Sequence, residues 1–318
     1  MRVLITGITG FVGPHLAEYL LAHDEGVEPW GLAWGSEGRD QLAGLGPRLR
    51  LVEGDLTEPA SLEVAVRAVH PEVVFHLAAA SSVASSWAHP AHIFQVNAGG
   101  QINLFEALLS AHSKAKIVLS SSAEIYGQAP ESSLPLTEDH PLRPVSPYGA
   151  SKAAQDLIAF QYHAAHGLPT VRLRLFNQTG PRRPARFVLS SFARQIVEIE
   201  RGLRPAVLKV GNLDVVRDFT DVRDVARAYW LAAVSGRPGG TYNVCSGQPR
   251  TIRRALAALL ELSGCRAEIE VDPGLLRPAD IPTQYGSHER FTADTGWRPE
   301  IPFEQTLHDL LEWHRQTV

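Results

Sequence analysis

The chain has 318 residues, of which 44% are hydrophobic and 20% charged, an ordinary composition for one large globular domain or two unequal ones. Its formal net charge of -4 gives no basic field of the kind that nucleic-acid-binding proteins use, so no nucleic-acid partner is expected. Two cysteines, Cys245 and Cys265, exclude a disulfide scaffold, have no metal-like spacing and fit a reducing, cytoplasmic compartment.

Short apolar runs alternate with amphipathic stretches through the first half of the chain. No leader precedes the first strand-like residues, and no apolar run reaches the roughly 20 residues of a membrane span, so neither secretion nor a membrane partner is expected. The alternation predicts βαβ units and a doubly wound, Rossmann-type parallel sheet. The predicted strands are Val3–Thr6, Pro29–Ala33, Leu49–Glu53, Val73–His76, Ile117–Ser120 and Thr170–Leu175, and the predicted helices between them are Phe11–Ala22, Ala60–Val69, Ile93–Ala111 and Tyr148–His166.

The pattern changes after about residue 177, where the segments become shorter and richer in Pro, Arg and Gly. We expect residues 1–177, together with about 212–245, to form a dinucleotide-binding domain, and residues 178–318 to form mainly a smaller substrate-binding α/β portion. The predicted helices of this second half are Phe187–Arg201, Val222–Val234, Ile252–Leu262 and Phe303–Gln316.

A glycine-rich segment with the spacing GxxGxxG joins the first strand to the first helix. Gly7 suits the tight turn, Gly10 lets a pyrophosphate approach the backbone amides, and Gly13 lets the helix pack closely on the strand. A glycine pattern alone is also compatible with a purely structural turn. Its place at the first βα turn favours a dinucleotide, held by Gly7, Thr9, Gly10, Phe11 and Val12.

The identity of the dinucleotide depends on the end of the second strand. NAD-binding proteins usually carry an acid about 20 residues beyond the glycines, and none closes this strand. Trp34 lies there instead, and Ser36 and Arg39 could receive a 2′-phosphate, which slightly favours NADP over NAD. Arg39 could equally be a solvated loop charge. Asp55 and Leu56, after the third strand, could flank the adenine, although Asp55 could also be a helix-start acid.

A tyrosine and a lysine with the spacing YxxxK begin a long predicted helix. Tyr148 and Lys152 therefore share one helix face, where an ammonium is expected to lower the phenol pKa and make it a usable acid or base. The preceding strand ends at Ser122, which could hydrogen bond the same substrate oxygen. Glu124 follows two residues later and is either a further catalytic group or a surface carboxylate.

These residues, with five further motifs, resemble the extended short-chain dehydrogenases that act on nucleotide-sugars. The resemblance covers essentially the whole chain, and within the family it points to the GDP-mannose branch through the segments 209–213, 216–224 and 276–282. The further motifs are His76–Ala79, the helix around Asn97, Ser122–Gly127, Ser146–Tyr148 and Arg174–Asn177.

The resemblance implies a role for each matching residue. Tyr148 would protonate the sugar O4 as hydride arrives at C4, Lys152 would bind the nicotinamide ribose, and Ser122 would position the carbonyl. The expected dinucleotide contacts include Leu77, Ala78, Ala79 and Asn97, and the expected GDP-sugar contacts are Ser122, Glu124, Asn177, Val188, Lys209, Asn212, Arg217, Arg277 and Asp280. A planar guanidinium suits a diphosphate, but Arg217 could instead pair with Asp218, Asp221 or Asp224.

Several activities of this branch share the same framework. The resemblance implies reduction of the C4 keto group of GDP-4-dehydro-6-deoxy-D-mannose to GDP-D-rhamnose. The alternatives are GDP-mannose 4,6-dehydration with Glu124 as the base, C4 epimerisation, and a non-enzymatic dinucleotide sensor, which the retained Ser122, Tyr148 and Lys152 disfavour. The length of the chain, the absence of an arginine-rich segment after the second strand and the run Phe192–Glu200 favour the reductase.

The predicted helices Ile93–Ala111 and Tyr148–His166 both carry apolar faces. In the family that the chain resembles, such helices form a four-helix dimer contact, so we expect a homodimer. The alternative is that both faces pack within one chain.

Overall fold

The computed structural model describes residues 1–81, 83–276 and 279–318. Its strands, in chain order, are β1 (Arg2–Thr6), β2 (Glu28–Ala33), β3 (Arg50–Glu53), β4 (Val73–His76), β5 (Lys116–Ser122), β6 (Thr170–Leu175), β7 (Asn177–Thr179), β8 (Val207–Val210), β9 (Val216–Asp221), β10 (Thr241–Val244), β11 (Pro249–Thr251), β12 (Glu268–Val271) and β13 (Thr283–Gln284).

Helices connect most of these strands. They are α1 (Val12–His23), α2 (Pro59–Val69), α3 (Val83–Ala88), α4 (Pro90–Phe94), α5 (Gly100–Ser110), α6 (Pro147–His166), α7 (Val188–Glu200), α8 (Val222–Ser235), α9 (Ile252–Ser263), α10 (Glu289–Thr295) and α11 (Phe303–Thr317). Short 3-10 segments occur at Arg39–Arg48, Ala123–Tyr126, Glu131–Ser133 and Pro273–Leu275.

The large sheet has seven parallel strands in the order β10-β6-β5-β4-β1-β2-β3. One apolar cluster, on the side of α1 and α8, includes Ile5, Leu16 and Tyr229, and a second, on the side of α2, α5 and α6, includes Leu4, Leu62 and Phe105. Because successive strand residues face opposite sides of a sheet, helices cover both faces. The predicted doubly wound α/β fold is confirmed.

The strand order reverses between β4 and β1, which pair with each other while their connections run to opposite sides. Ligands of such sheets bind in the crevice outside the carboxyl ends of the strands at this switch point. The glycine-rich turn after β1 lies there, and so do the carboxyl ends of β4 and β5.

The second half forms two small sheets, one of β11, β9, β13 and β7 and one of β12 and β8. Helices α7, α9 and α11 pack around their own apolar cluster, which includes Phe192, Leu256 and Leu307. Strand β10 returns to the large sheet, where it pairs with β6. This return places residues late in the chain beside the carboxyl end of β6.

The stretch predicted as one helix at Ile93–Ala111 is divided. A π-helical turn at Gln95–Gly99 lies between α4 and α5, and it contains the fully buried Asn97. Such turns re-aim one side chain within a helix, and hydrophobic periodicity does not reveal them. Among the described residues, no helix is long and apolar enough to cross a membrane.

Candidate active site

The glycine-rich turn is packed too tightly for side chains at two positions. Gly7 has φ of 69°, and a Cβ on it would lie 2.8 Å from the amide nitrogen of Ala78. A Cβ on Gly13 would lie 2.5 Å from the carbonyl oxygen of Ile8. The turn therefore brings its backbone against the end of β4 and leaves the N-terminus of α1 open toward the cleft, as an anionic ligand requires.

A buried pair of side chains joins β1 to β4 beneath this turn. The hydroxyl of Thr6 lies 2.9 Å from His76 Nδ1 and accepts a hydrogen bond from the Ala78 amide at 3.1 Å. Burial is the main cause that lowers the His76 pKa to about 3, and the charge of Lys152 adds to it. His76 is therefore neutral at neutral pH and fixes the geometry of the strand ends.

Tyr148 and Lys152 lie in the first turns of α6, and two residues fix where that helix begins. Ser146 is the N-cap and accepts from the Gly149 amide at 3.0 Å, and Pro147 occupies the first helical position. Ser122 ends β5 directly opposite. Its side chain hydrogen bonds the Tyr148 phenol and accepts from the Glu124 amide at 3.2 Å.

The pKa of Tyr148 corrects one expectation from the sequence. Burial raises it to about 12, the Ser122 hydrogen bond and the charge of Arg183 oppose this, and Glu124 adds to it. The ammonium of Lys152 is not one of these causes, and it donates to the carbonyl of Ser120 at 2.6 Å. The expected lowering by the lysine is thus wrong for this arrangement, and the phenol is protonated at neutral pH.

One cleft of about 340 Å³ brings the glycine-rich turn and the Tyr148 phenol together. It opens at the switch point of the sheet and reaches the small β7–β9 region. The predicted residues that line it are Gly7, Gly10, Phe11, Val12, Leu77, Ala78, Ala79, Ser122, Glu124, Tyr148, Lys152 and Asn177. A dinucleotide held by the turn would therefore extend toward the phenol.

Further residues line the cleft that the sequence reasoning missed. They come from β7, the loop after it, α8 and β13: Gln178, Arg183, Arg186, Phe187, Tyr229 and Gln284. Arg183 belongs to Gly180–Pro184, part of the Pro-, Arg- and Gly-rich sequence that follows residue 177. The position of this segment predicts a place at the cleft, because it follows a strand that comes after the YxxxK helix. Loops after such strands meet at the carboxyl edge of the sheet.

Arg183 is held between two aromatic rings at this edge. Its guanidinium carbon lies 4.6 Å from the centre of the Phe11 ring and 3.4 Å from that of Phe187. Burial, with a contribution from Arg186, lowers the Arg183 pKa to about 9, and its Nε is buried without a hydrogen-bond partner in the structure. This arginine remains charged at neutral pH and can bind a phosphate or diphosphate.

Other predicted dinucleotide residues lie outside this cleft wall. The Trp34 side chain is 70% exposed, and Arg39 donates to Glu53 and, at 2.8 Å, to the Gly35 carbonyl. Asp55 Oδ1 accepts from the amide and hydroxyl of Thr57, both at 2.8 Å. Asp55 thus forms a turn before α2, which fits the helix-start alternative.

Three more of the predicted dinucleotide contacts pack against other parts of the protein. Leu56 is buried in the apolar cluster beside α2. Thr9 lies against the loop after β2, since a Cβ on Gly38 would be 2.5 Å from the Thr9 carbonyl oxygen. The side-chain oxygen of Asn97 accepts from the Ala80 amide. Its Nδ2 donates to the Ala80 carbonyl and, at 2.9 Å, to the Ser151 hydroxyl. Asn97 therefore fixes the loop after β4 against α6.

One of the predicted nucleotide-end residues, Lys209, lines a second cavity of about 320 Å³. The Lys209 backbone pairs with the Gln195 side chain through bonds of 3.0 and 2.9 Å. Val188, at the start of α7, is 37% exposed, and Asn212 Oδ1 accepts from the Asp214 amide. The cavity lies between α7, β8 and the segment after β12.

Arg217 and Asp280 pair with each other. Arg217 donates to Asp280 Oδ1 at 2.8 Å and to the Ile281 carbonyl at 2.7 Å, and the residue is 6% exposed. Arg217 therefore forms an ion pair, but with Asp280 rather than with the expected Asp218, Asp221 or Asp224, because β13 runs beside β9. Arg277 lies outside the described residues.

Fold and cleft together define an enzyme of the extended short-chain dehydrogenase type. The sequence profile of the family described as GDP-mannose 4,6 dehydratase matches residues 4–310, and the chain belongs to that family. Its sequence is 37% identical over 313 residues to GDP-6-deoxy-D-mannose reductase of Pseudomonas aeruginosa, covering 98% of this chain and 97% of that one. It is 31% identical to GDP-mannose 4,6 dehydratase 2 of Arabidopsis thaliana, over 97% and 85% of the two chains.

Solved structures agree with this placement. The structure of RMD from Pseudomonas aeruginosa complexed with NADPH superposes with a TM-score of 0.88 at 35% identity, covering 100% of this chain and 99% of that one. The structure of Thermus thermophilus UDP-glucose 4-epimerase in complex with NAD superposes with a TM-score of 0.89 at 34% identity, covering 100% of both chains. The family resemblance inferred from the sequence is confirmed.

Proposed function

We propose that this chain reduces the C4 keto group of GDP-4-dehydro-6-deoxy-D-mannose to GDP-D-rhamnose with NAD(P)H. The observation that carries the proposal is the Tyr148 phenol, hydrogen bonded by Ser122, in the same cleft as the glycine-rich turn. Support comes from the Pseudomonas reductase, whose similarity spans nearly the whole of both chains.

The residues of the turn fit a nicotinamide dinucleotide. Glycine at 7 and 13 lets the turn pack tightly against the backbone of Ala78 and Ile8, and the open N-terminus of α1 provides partners for the diphosphate of the dinucleotide. When bound in its reduced form, the cofactor supplies the hydride that the sugar C4 receives. Tyr148 and Lys152 are our proposed contacts at the nicotinamide end.

Tyr148 is the proposed proton donor. As C4 gains the hydride, O4 gains the phenol proton, and the ketone becomes a secondary alcohol. Because burial keeps the Tyr148 pKa at about 12, the phenol carries its proton at neutral pH. The Ser122 hydroxyl hydrogen bonds the same O4 and sets its distance from the phenol.

The nucleotide end is proposed to occupy the space between the two cavities. Asn177 and Arg183 line the first cavity, and Lys209 lines the second, so a diphosphate can lie near the former and a guanosine near the latter. Val188 and Asn212 flank this path in the proposal. Arg217 and Asp280 form an ion pair with each other and line neither cavity.

NADP is the cofactor that we propose in preference to NAD. The loop after β2 supports this preference, because it packs against Thr9 of the glycine-rich turn through Gly38 and carries Ser36 and Arg39. Both dinucleotides occur among the similar structures, NADPH in the Pseudomonas protein and NAD in the Thermus epimerase. Dissociation constants for NADPH and NADH, measured by fluorescence titration, test this preference.

The assay that tests the reaction uses two sugars, each with and without NADPH. The reductase consumes NADPH only with the 4-keto-6-deoxy sugar and forms GDP-D-rhamnose. Consumption of GDP-mannose alone, with accumulation of a keto product, would contradict it and favour dehydration. Glu124 supports this second candidate, because it lines the cleft beside Tyr148 and could remove the C5 proton.

We also propose a homodimer in the cytoplasm. Both cysteines are free thiols, as a reducing compartment favours. Helices α5 and α6 expose Ile102, Leu157 and Phe160, at 37%, 57% and 50%, and burying such a face against a second copy forms a four-helix contact. Sedimentation of Leu157→Glu should show a monomer where the unmodified chain shows a dimer. A matched control is Leu262→Glu, on α9.

A further inference from the structure

A layer of buried amide side chains lies between α5 and α6, directly behind the cleft. Gln101 and Gln155 are both fully buried. Gln101 Nε2 donates to the Gln155 carbonyl at 2.9 Å, and Gln155 Oε1 accepts from the Lys152 ammonium at 2.8 Å. Of these two glutamines, Gln155 hydrogen bonds Lys152 and Gln101 does not, so substitutions of Gln101 can serve as controls for substitutions of Gln155.

The hydrogen bonds of Lys152 account for two of its three donors. One N–H reaches the Ser120 carbonyl at 2.6 Å and another reaches Gln155 Oε1. A lysine ammonium has three N–H groups and rotates freely unless its partners are fixed. Both partners here are fixed, one in the backbone of β5 and the other within a buried helix interface. Lys152 itself lines the cleft, so its remaining N–H can face a ligand there.

We propose that Gln155 is a positioning residue, whose amide oxygen holds the Lys152 ammonium so that its third N–H points into the cleft. The importance of this role for the reaction rests on the proposed function, whereas the hydrogen bond between Gln155 and Lys152 is observed in the structure. Without the amide oxygen, the ammonium keeps one fixed partner and turns away from the position that a nicotinamide ribose requires. Its charged form also loses a hydrogen-bond acceptor at a largely buried position.

The charged neighbours of Lys152 are few among the described residues. Asp156 on α6 favours the ammonium, whereas burial, the larger cause, lowers the Lys152 pKa to about 7. His76, from β4, is neutral in this range. Asp156 is itself paired with Arg172 and Arg174 from β6. None of these groups changes when Gln155 is replaced, so a shift in the lysine titration reports the amide oxygen.

Two substitutions of Gln155 should move that titration in opposite directions. Gln155→Leu removes the acceptor and should lower the Lys152 pKa by about half a unit or more. Gln155→Glu keeps an acceptor and adds a negative charge, which should raise the pKa by about one unit or more. A lower pKa in Gln155→Leu, set against an unchanged pKa in Gln101→Leu, separates the lost hydrogen bond from a general change in packing.

The titration can be observed directly in the ligand-free protein. The chain has four lysines, at 114, 116, 152 and 209, so NMR spectra of ¹³Cε-labelled lysine resolve few signals, and Lys152→Arg assigns one of them. The matched control is Gln101→Leu, which changes the same buried layer without touching Lys152. It should lower the melting temperature without moving the Lys152 titration.

The dissociation constant for NADPH gives a second measurement. Gln155→Leu should weaken binding several-fold at a pH where Lys152 is charged, and Gln101→Leu should not. An unchanged Lys152 titration in both Gln155 variants, or an equal shift in Gln101→Leu, would overturn the proposal. Should Gln155→Leu not fold, Gln155→Asn carries the same prediction, because its shorter side chain withdraws the oxygen.

Failure of this proposal is distinguishable from failure of the proposed reaction. The lysine titration needs neither sugar nor dinucleotide. Opposite shifts in a protein that reduces no keto sugar would support the Gln155 role and reject the reaction. Unchanged shifts in an active reductase would reject the Gln155 role alone.

Discussion

The Arg183 guanidinium carbon lies 3.4 Å from the centre of the Phe187 ring, and the same residue lines the cleft beside Tyr148. An anchored side chain contributes its charge without first losing rotational freedom, because the ring already restricts it. The loop that carries it is anchored as well. The neighbouring Arg182 donates to both carboxylate oxygens of Glu18 on α1, at 2.9 and 2.5 Å.

Replacement of Arg183 by alanine should weaken ligand binding. A charge-assisted hydrogen bond contributes about 1.5–3 kcal/mol, so the dissociation constant for NADPH, or KM for the GDP-sugar, should rise about 10- to 150-fold. Titration calorimetry and steady-state kinetics identify which ligand is affected. Arg250→Ala is the control, since Arg250 stacks on Phe303 in the second half of the chain. Equal effects of both substitutions would contradict a ligand contact.

Tyr148→Phe should abolish the proton transfer while leaving the fold and the dinucleotide site intact. General acid catalysis contributes about 10²- to 10⁴-fold, so kcat should fall by that factor. Ser122→Ala should give a smaller fall, because the hydroxyl orients the carbonyl and does not give up a proton. Stopped-flow reduction of the keto sugar measures both effects. A Tyr148→Phe enzyme that kept full turnover would show that another group is the acid.

The pairing of Arg39 with Glu53 should limit the affinity for NADP. Glu53 competes with any 2′-phosphate for the guanidinium, so Glu53→Gln should tighten NADPH binding several-fold and leave NADH binding unchanged. Arg39→Ala should weaken NADPH binding only. Glu63→Gln, which interrupts the exposed pair with Arg67 on α2, is the control. Equal effects on both dinucleotides would remove Arg39 from the cofactor site.

Asp156 should be a major determinant of stability near the site. It is fully buried, pairs with Arg172 and Arg174 at 3.0 Å each, and accepts from the Ser121 hydroxyl at 3.0 Å. Asp156→Ala leaves two buried guanidinium groups unpaired and should reduce the free energy of unfolding by about 3–5 kcal/mol. Chemical denaturation measures the loss. Glu63→Ala, at an exposed ion pair, should cost less than about 1 kcal/mol.

Three buried histidines should make the protein sensitive to acid. Mainly because of burial, the pKa values of His15 and His314 are lowered to about 4 and that of His76 to about 3. Between these values and the unfolded value near 6.5, the unfolded chain binds more protons, so stability falls as pH falls from about 6.5 to 4. Each histidine contributes up to about 1.4 kcal/mol per pH unit.

Denaturation midpoints from pH 8 to 4 measure this dependence. His15→Gln should reduce the slope between pH 6 and 4. His308→Gln, at an exposed histidine of α11, should leave it unchanged. A slope that is the same in the His15 variant and the unmodified chain would contradict the assignment.

Local patterns in the sequence determine most of the fold and the chemical core of the site. The strands at Val73–His76 and Thr170–Leu175 have the predicted bounds, because alternation of apolar strands and amphipathic helices is a property of neighbouring residues. The same holds for the glycine-rich turn and for Tyr148 with Lys152, whose spacing alone puts them on one helix face.

Only the tertiary structure decides which distant residues complete the site and in what protonation state the proposed catalytic groups are. Arg183 enters the cleft because its loop is held by α1 through Arg182, and Arg217 is paired because β13 runs beside β9. Burial raises the pKa of the Tyr148 phenol to about 12, so the phenol keeps its proton, while Lys152 donates to Ser120 and Gln155. Burial and long-range contacts depend on how all the elements pack together, so no short segment of sequence contains them.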